Sequence, residues 1–164
     1  MTQGEAIAAE LMQFHAPTRT LLERIPHDKL AWKPHEKSMT LGRLGRHVAE
    51  LPHWIVKSFQ FPEFDFVAQG YAPRTPDDHA EIMATLEEQW GQAANLLKQA
   101  SDADLAVPFT MCRGEHVISR LTRAETARHH IKHMIHHRGQ LSVYLRLLDV
   151  PIPELFGPTA DTRR

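Results

Sequence analysis

The residues best suited to chemistry are five histidines within a stretch of nine, inside a segment (residues 125–153) whose apolar residues follow helical spacing. They are His129, His130, His133, His136 and His137. Histidine is the commonest side-chain metal ligand, and this chain has 12 histidines in 164 residues. Residues four apart on a helix lie on the same face. Two overlapping pairs, His129 with His133 and His133 with His137, could therefore each bind one side of a divalent metal ion.

A metal ion bound by two imidazoles needs a further ligand, and His47 is the candidate. It lies three residues after Leu44 and four before Leu51, so its ring projects towards the core side of an earlier predicted helix. A histidine in that position is more often a hydrogen-bonded core residue, but the histidine pair on another helix favours a metal ligand. Three imidazoles leave coordination positions for water or substrate, as in catalytic rather than structural sites.

Such a site supplies a defined chemistry, because the ion lowers the pKa of water to near neutrality or activates a thiolate. Imidazole ligands suit Zn, Ni, Fe or Cu ions, and the spacing of the histidines does not choose among them. The rings must be neutral to bind, so affinity is expected to fall below about pH 6. An E-x-x-H segment (residues 50–53) has the form used in di-iron bundles, which need a second copy that this sequence lacks.

Four segments with helical spacing of apolar residues are expected to position these histidines. The predicted spans are residues 2–25, 40–59, 76–100 and 122–149. Pro17 is expected to kink the first helix near His15, and Pro52 is expected to bend the second.

Threonines mark the expected starts of three of these helices. Thr40 precedes the second, and Thr75 precedes Pro76, a residue favoured at the first helical position. Thr122 has Glu125 three residues later, which is the spacing of a capping box.

Two segments lack the helical period. Residues 60–76 contain three prolines and four aromatic residues and predict a long irregular connection. Residues 105–119 have short apolar stretches on either side of a Gly114 turn, which predicts a hairpin or an extended excursion, although Pro108 argues against a central strand. The sequence therefore predicts an all-α protein, a four-helix bundle with a small irregular or hairpin insert before the last helix.

Composition narrows the class of protein. A chain of 164 residues can form one domain with a real core, expected to span residues 1–157 and to be followed by a loose tail at 158–164. A net charge of −1 predicts no general attraction to nucleic acid or to anionic membranes. Cys112 is the only cysteine, so no intramolecular disulfide can form. Without a signal peptide or a run of 18 apolar residues, the protein is expected to be cytoplasmic.

Two blocks of the sequence resemble the DinB-like proteins, a family of DinB/YfiT-like metalloenzymes. HHRGQLSVYLRLLDVPIPELFGP (residues 136–158) resembles the C-terminal signature of that family, and IPHDKLAWKPHEKSMTLGRLGRHVAELPHW (residues 25–54) resembles its N-terminal block. The resemblance implies a four-helix bundle with a divalent metal bound by His47, His133 and His137. By the same resemblance His129 lies one turn too early, and His136 falls on a different face.

The resemblance also implies an activity. Some relatives are thiol-dependent transferases or isomerases that use mycothiol or bacillithiol, and others are metal-dependent hydrolases. We therefore expect an enzyme that attacks a small electrophile, with a low-molecular-weight thiol as one expected partner and no further cofactor. Zn or Ni is the favoured ion, ahead of Fe, Mn or Cu, and Glu50 is the candidate acid or base. A non-catalytic metal-binding or stress-response module is the alternative, followed by a bundle whose histidines only pack. Relatives are often homodimers, and a homodimer is expected here.

Overall fold

The computed structural model describes residues 1–162 as a helical bundle with a small sheet on one side. In chain order the elements are α1 (Gln3–Gln13), α2 (His15–Leu22), α3 (Leu41–Glu50), α4 (His53–Gln60), β1 (Glu63–Asp65), α5 (His79–Gln99), α6 (Asp102–Leu105), β2 (Pro108–Arg113), β3 (His116–Thr122) and α7 (Arg123–Leu147). Helix α5 packs against α1 and α3, and α7 packs against α3 and α4. The expected four-helix bundle is therefore present.

Both predicted interruptions of the first two helices are confirmed. The first helix breaks at Phe14 and restarts as α2, which places Pro17 in the first turn, where its missing N–H group has no helical partner to lose. The second helix ends as α3 at Glu50 and resumes as α4 at His53, with Pro52 at the junction. Each of these two predicted helices is thus a pair of shorter ones.

The helix starts follow the capping rules at two of the three predicted positions. Thr40 Oγ1 accepts a hydrogen bond from the backbone N–H of residue 43, and Thr122 forms the predicted capping box with Glu125. The prediction of Thr75 as an N-cap is wrong. Its hydroxyl lies 2.6 Å from the Thr40 hydroxyl instead, and α5 begins later, where the side chain of Asp78 accepts from the backbone N–H of residue 81 at 2.9 Å.

The prediction of an all-α protein is wrong in one respect, because three strands form a sheet in the order β1-β2-β3. The predicted hairpin is confirmed as the antiparallel pair β2 and β3. The expectation that Pro108 excludes a central strand is wrong, because β2 lies between β1 and β3; Pro108 is tolerated there because it is the first residue of the strand. The unpredicted strand is β1, which pairs parallel to β2 and places Phe64 beside Met111. This strand lies in the segment that was expected to be irregular.

A close contact between helices explains one glycine. A Cβ atom on Gly4 would lie 2.1 Å from the backbone oxygen of Leu97, so α1 and α5 approach each other more closely than any side chain allows. The core around this contact includes the fully buried Ile7, Leu44 and Trp90.

The chain after α7 folds back onto the bundle. Asp161 forms an ion pair with Arg146, and its carboxylate also accepts from the backbone N–H of Ile152 at 2.8 Å. The last two residues of the predicted loose tail lie outside the described residues, and the domain boundary at residue 157 stays a prediction. None of the helices in residues 1–162 combines the length and apolar composition needed to cross a lipid bilayer.

Candidate metal centre

Three of the predicted imidazoles meet between α3 and α7. Leu44 and Val48 are fully buried, so the apolar side of α3 that carries His47 faces the bundle interior. His133 and His137 lie one turn apart on α7. The ring centroid of His47 lies 5.3 Å from that of His133 and 4.6 Å from that of His137. One nitrogen from each of the three rings lies within 4.8 Å of the others, so the structure brings together the three residues selected by the resemblance.

Glu50 orients the first of these rings. Its Oε1 atom lies 3.1 Å from Nδ1 of His47, and a carboxylate can only accept, so Nδ1 carries the proton and Nε2 presents its lone pair. The same oxygen accepts from Arg43 Nη1 at 2.9 Å and from the Tyr71 hydroxyl at 3.0 Å. Burial raises the pKa of Glu50, but the His47 hydrogen bond and the charges of Arg43 and Arg46 outweigh it and lower the pKa to about 2. Glu50 is therefore ionised throughout the neutral range.

Gln140 orients the third ring in the same way. Its Oε1 atom lies 2.7 Å from Nδ1 of His137, which must donate, so Nε2 of His137 is again the nitrogen with a free lone pair. The amide nitrogen of Gln140 lies 3.2 Å from Nε2 of the exposed His136. Nε2 of His133 lies 2.8 Å from Nε2 of His137. Metal-binding histidines are commonly oriented through their second nitrogen, and two of these three rings have such a partner.

Burial keeps two of the rings neutral. Loss of hydration and, after it, the neighbouring imidazoles together lower the pKa of His133 to about 4. Burial also lowers the pKa of His137 to about 4, against the opposing effect of its hydrogen bond to Gln140. At neutral pH both rings therefore offer lone pairs rather than charges. Three imidazole nitrogens at this spacing could hold one divalent metal ion.

The other histidines of α7 have different surroundings. His129 is exposed, His130 is 5% exposed, and with His133 they form a second group of three nitrogens within 4.8 Å. Burial lowers the pKa of His130 well below the usual value. The two groups share His133, whose Nε2 faces His137.

A cavity of about 340 Å³ lies beside the three rings. His47, His130 and His133 form part of its wall, and Trp54 and Phe66 form the apolar part. It lies between the bundle and the sheet. A molecule in this cavity contacts two of the candidate metal ligands directly.

Sequence reasoning missed two residues of the site and left a third without a role. Arg43 and Tyr71 hold Glu50 through hydrogen bonds; Arg43 lies two turns before Glu50 on α3, whereas Tyr71 comes from the connection after β1 and has no local signal. Gln140 was part of the resemblance without a role. A signal for it exists, since Glu50 and Gln140 each lie three residues after the histidine that they orient.

Comparisons with known proteins agree with this fold. The model of the DinB family matches residues 1–159 of the chain. The protein belongs to the DinB family. Among DinB-like relatives, the protein YjoA of Bacillus subtilis is 26% identical over 151 residues, which cover 89% of this chain and 91% of YjoA.

Solved structures share the DinB fold at lower identity. The crystal structure of YjoA has a TM-score of 0.69 and 20% identity, and the match covers 92% of this chain and 97% of YjoA. A DinB family member from Exiguobacterium sibiricum has a TM-score of 0.70 and 18% identity, with 94% and 97% covered. YfiT from Bacillus subtilis has a TM-score of 0.69 and 15% identity, with 90% and 89% covered; it is described as a probable metal-dependent hydrolase with an unusual four-helix bundle topology.

Proposed function

We propose that this DinB-family protein is a metal-dependent enzyme whose divalent ion is bound by His47, His133 and His137. The convergence of the three imidazoles from two helices, beside an apolar cavity, is the observation that carries the proposal. Imidazole ligands suit Zn, Ni, Fe and Cu ions alike, and Zn²⁺ or Ni²⁺ is proposed first, ahead of Fe, Mn or Cu ions, as expected from the sequence. A bound ion supplies Lewis acidity that activates water or a thiol.

The protein's own groups hold the ligands in place. Glu50 keeps the proton of His47 on Nδ1, and Gln140 keeps the proton of His137 on Nδ1, so that both Nε2 atoms face the centre. We assign Glu50 this positioning role instead of the acid or base role expected from sequence. Its Oε1 already accepts three hydrogen bonds, and a carboxylate with a pKa of about 2 is a weak base at neutral pH.

Hydrolysis of a small electrophile is the reaction class that we place first. The description of YfiT as a probable metal-dependent hydrolase supports it, since that structure shares the fold. Transfer of a low-molecular-weight thiol to an electrophile differs only in the nucleophile and uses the same residues. The expected homodimer stays a prediction.

Metal content after loading tests the site. Wild-type protein incubated with Zn²⁺ or Ni²⁺ and desalted is expected to retain one ion per chain, measured by elemental analysis. His133→Ala and His137→Ala are expected to lose the ion, because each removes one of three ligands. His116→Ala is the matched control, since His116 is exposed on β3 and away from the cavity. Full metal retention by either ligand variant would rule out the proposed site.

Turnover by the loaded protein tests the reaction class. Release of p-nitrophenol from p-nitrophenyl acetate without thiol supports hydrolysis. Release of chloride from 1-chloro-2,4-dinitrobenzene, as the thiolate sulfur replaces it on the ring, supports thiol transfer. Both activities should disappear in His137→Ala. If neither these substrates nor a wider panel of electrophiles is turned over with any ion, the non-catalytic metal-binding module replaces the enzyme.

A further inference from the structure

The cavity beside His47 and His133 is a distinct compartment next to the metal centre. Its volume of about 340 Å³ falls in the range of roughly 300–1,000 Å³ that is typical of small-molecule sites. His137, the third candidate ligand, does not line it. The cavity therefore extends from one side of the three rings towards the sheet, where Met111 and Ile118 complete the wall.

Aromatic rings make one wall apolar and rigid. Trp54 is 4% exposed, and its ring centroid lies 5.1 Å from that of Phe66 and 5.4 Å from that of Tyr71. Phe64 packs against both Trp54 and Phe66, at 5.1 and 5.3 Å. Three of these four ring pairs are packed edge to face and the fourth, Trp54 with Phe66, is tilted, so the rings are already held in place before a flat molecule lies against them. This wall suits a ring-bearing ligand.

The charges in the wall are already neutralised. Among the described residues that line the cavity, Arg43 is the only one with a permanent charge, and it is paired with Glu50 at 2.9 Å. The hydroxyl of Tyr71 is also used, because it donates to Glu50. A charged ligand would lose its hydration without gaining a free counter-ion here. The cavity therefore favours a neutral molecule.

Three polar side chains in the wall have a buried nitrogen without a partner among the described residues, Nε of Arg43, Nδ1 of His130 and Nδ1 of His133, and His130 is the most deeply buried of the three. His130 is 5% exposed, and within the described chain its Nδ1 atom has no hydrogen-bond partner. His130 lines the cavity, and a neutral imidazole offers one donor and one acceptor, so a hydroxyl or carbonyl group of a ligand can form a hydrogen bond with its ring.

We propose that this cavity binds the neutral, flat apolar body of the substrate and that His130 forms a hydrogen bond with one polar group on that body. The inference rests on the proposed function, because the bound body lies against His47 and His133 and places the rest of the molecule at the metal centre. It names the substrate class as a neutral aromatic or similarly flat compound with a hydroxyl or carbonyl substituent. His130 is then a specificity-determining residue.

A pair of probes with matched shape tests this assignment. 1-Naphthol and 1-methylnaphthalene differ only in a hydroxyl or methyl substituent. Their dissociation constants are measured by ligand-observed NMR with metal-free protein. Wild type is expected to prefer 1-naphthol about tenfold, the contribution of one hydrogen bond. His130→Phe keeps a ring in place and should abolish the preference, whereas His129→Phe, the same change at the exposed neighbour, should retain it.

Several results would overturn the proposal: equal affinities in wild type, no binding of either probe, or loss of the preference in His129→Phe instead of His130→Phe. If His130→Phe does not fold, the ring ¹⁵N resonances of His130 in wild type decide, because they must shift more with 1-naphthol than with 1-methylnaphthalene. His137→Ala separates the two proposals, since it removes a metal ligand but no cavity wall. Probe binding that survives in His137→Ala together with loss of the ion supports both proposals, whereas a His137→Ala protein that keeps its ion and still binds the probe supports the cavity and refutes the metal site.

Discussion

Replacing Glu50 with glutamine tests how the site is held together before any metal binds. The carboxylate side chain is 8% exposed and forms ion pairs with Arg43 at 2.9 Å and Arg46 at 3.2 Å, whose side chains are 11% and 23% exposed. Glutamine keeps the shape and removes the charge. Both arginines then lose their shared counter-ion in a poorly hydrated place, which is the costly way to break an ion pair.

The size of the effect follows from the pKa of Glu50. The pKa falls from 4.5 to about 2 on folding. At about 1.4 kcal/mol for each pH unit, the ionised carboxylate contributes about 3 kcal/mol to the free energy of unfolding at neutral pH. Measured losses on breaking buried ion pairs, about 3–5 kcal/mol, have the same size. Because the pKa is lowered in the folded protein, this contribution is complete above pH 4.5 and declines as the pH falls towards 2.

The assay is urea denaturation of metal-free protein, followed by circular dichroism. Glu50→Gln is expected to be about 3 kcal/mol less stable than wild type at pH 7, and the difference should narrow at pH 3.5. Glu88→Gln is the matched control, because Glu88 is exposed and is expected to change stability by less than about 0.5 kcal/mol. A difference below about 1 kcal/mol at pH 7, or one that does not change with pH, would refute this account of Glu50.

Three further predictions concern the bundle. Gly4→Ala places a Cβ atom 2.1 Å from a backbone oxygen of α5 and should lower the free energy of thermal unfolding by about 1–3 kcal/mol. Gly91→Ala is the control, because Gly91 has open space around it and the change should be neutral or stabilising. Equal effects of the two substitutions would contradict the close contact. The lowered pKa values of His133 and His137 predict that metal-free protein loses stability as the pH falls from 6.5 towards 4, because unfolding lets both rings bind protons. The urea midpoints at pH 7 and pH 5 should therefore differ less in the variant with alanine at both positions than in wild type. Arg138 is 1% exposed, lies against two phenylalanine rings and has a pKa lowered by burial. The free energy of unfolding of Arg138→Met should therefore be within about 1 kcal/mol of the wild-type value or higher. A loss above about 3 kcal/mol would show that the charge of Arg138 is compensated.

The helices and the histidine cluster were predictable because their signals are local. Apolar spacing of three and four residues follows from the helical repeat, and proline positions follow from the missing N–H group. The choice of His133 with His137 over His129 with His133 was not available from spacing, since both pairs are one turn apart. There the resemblance to a family selected His133 with His137. The structure groups His47 with these two residues, and its ring centroid lies 4.6 Å from that of His137.

The sheet and the support of Glu50 were not predictable for the opposite reason. Strand β1 is three residues long, too short for an alternating pattern, and its partners at Thr110–Cys112 are far along the chain. Tyr71 reaches Glu50 from an irregular segment, so no spacing rule connects them. Thr75 and Asp78 are both residue types that favour a helix start. The hydroxyl of Thr75 contacts that of Thr40, and Asp78 is the N-cap of α5.

The cavity's two sides come from separate parts of the chain. The candidate metal ligands lie on α3 and α7, whereas the facing wall includes Ile118 and Ser119 of β3, in a hairpin that supplies no ligand. Ile118 is 51% exposed, so its replacement disturbs little of the bundle core. Mutations in this hairpin can therefore change which compounds fit the cavity while the three candidate metal ligands stay in place. Within one scaffold, the choice of compounds bound by the cavity can change through mutations in a surface hairpin, without passing through forms that have lost the three-histidine group.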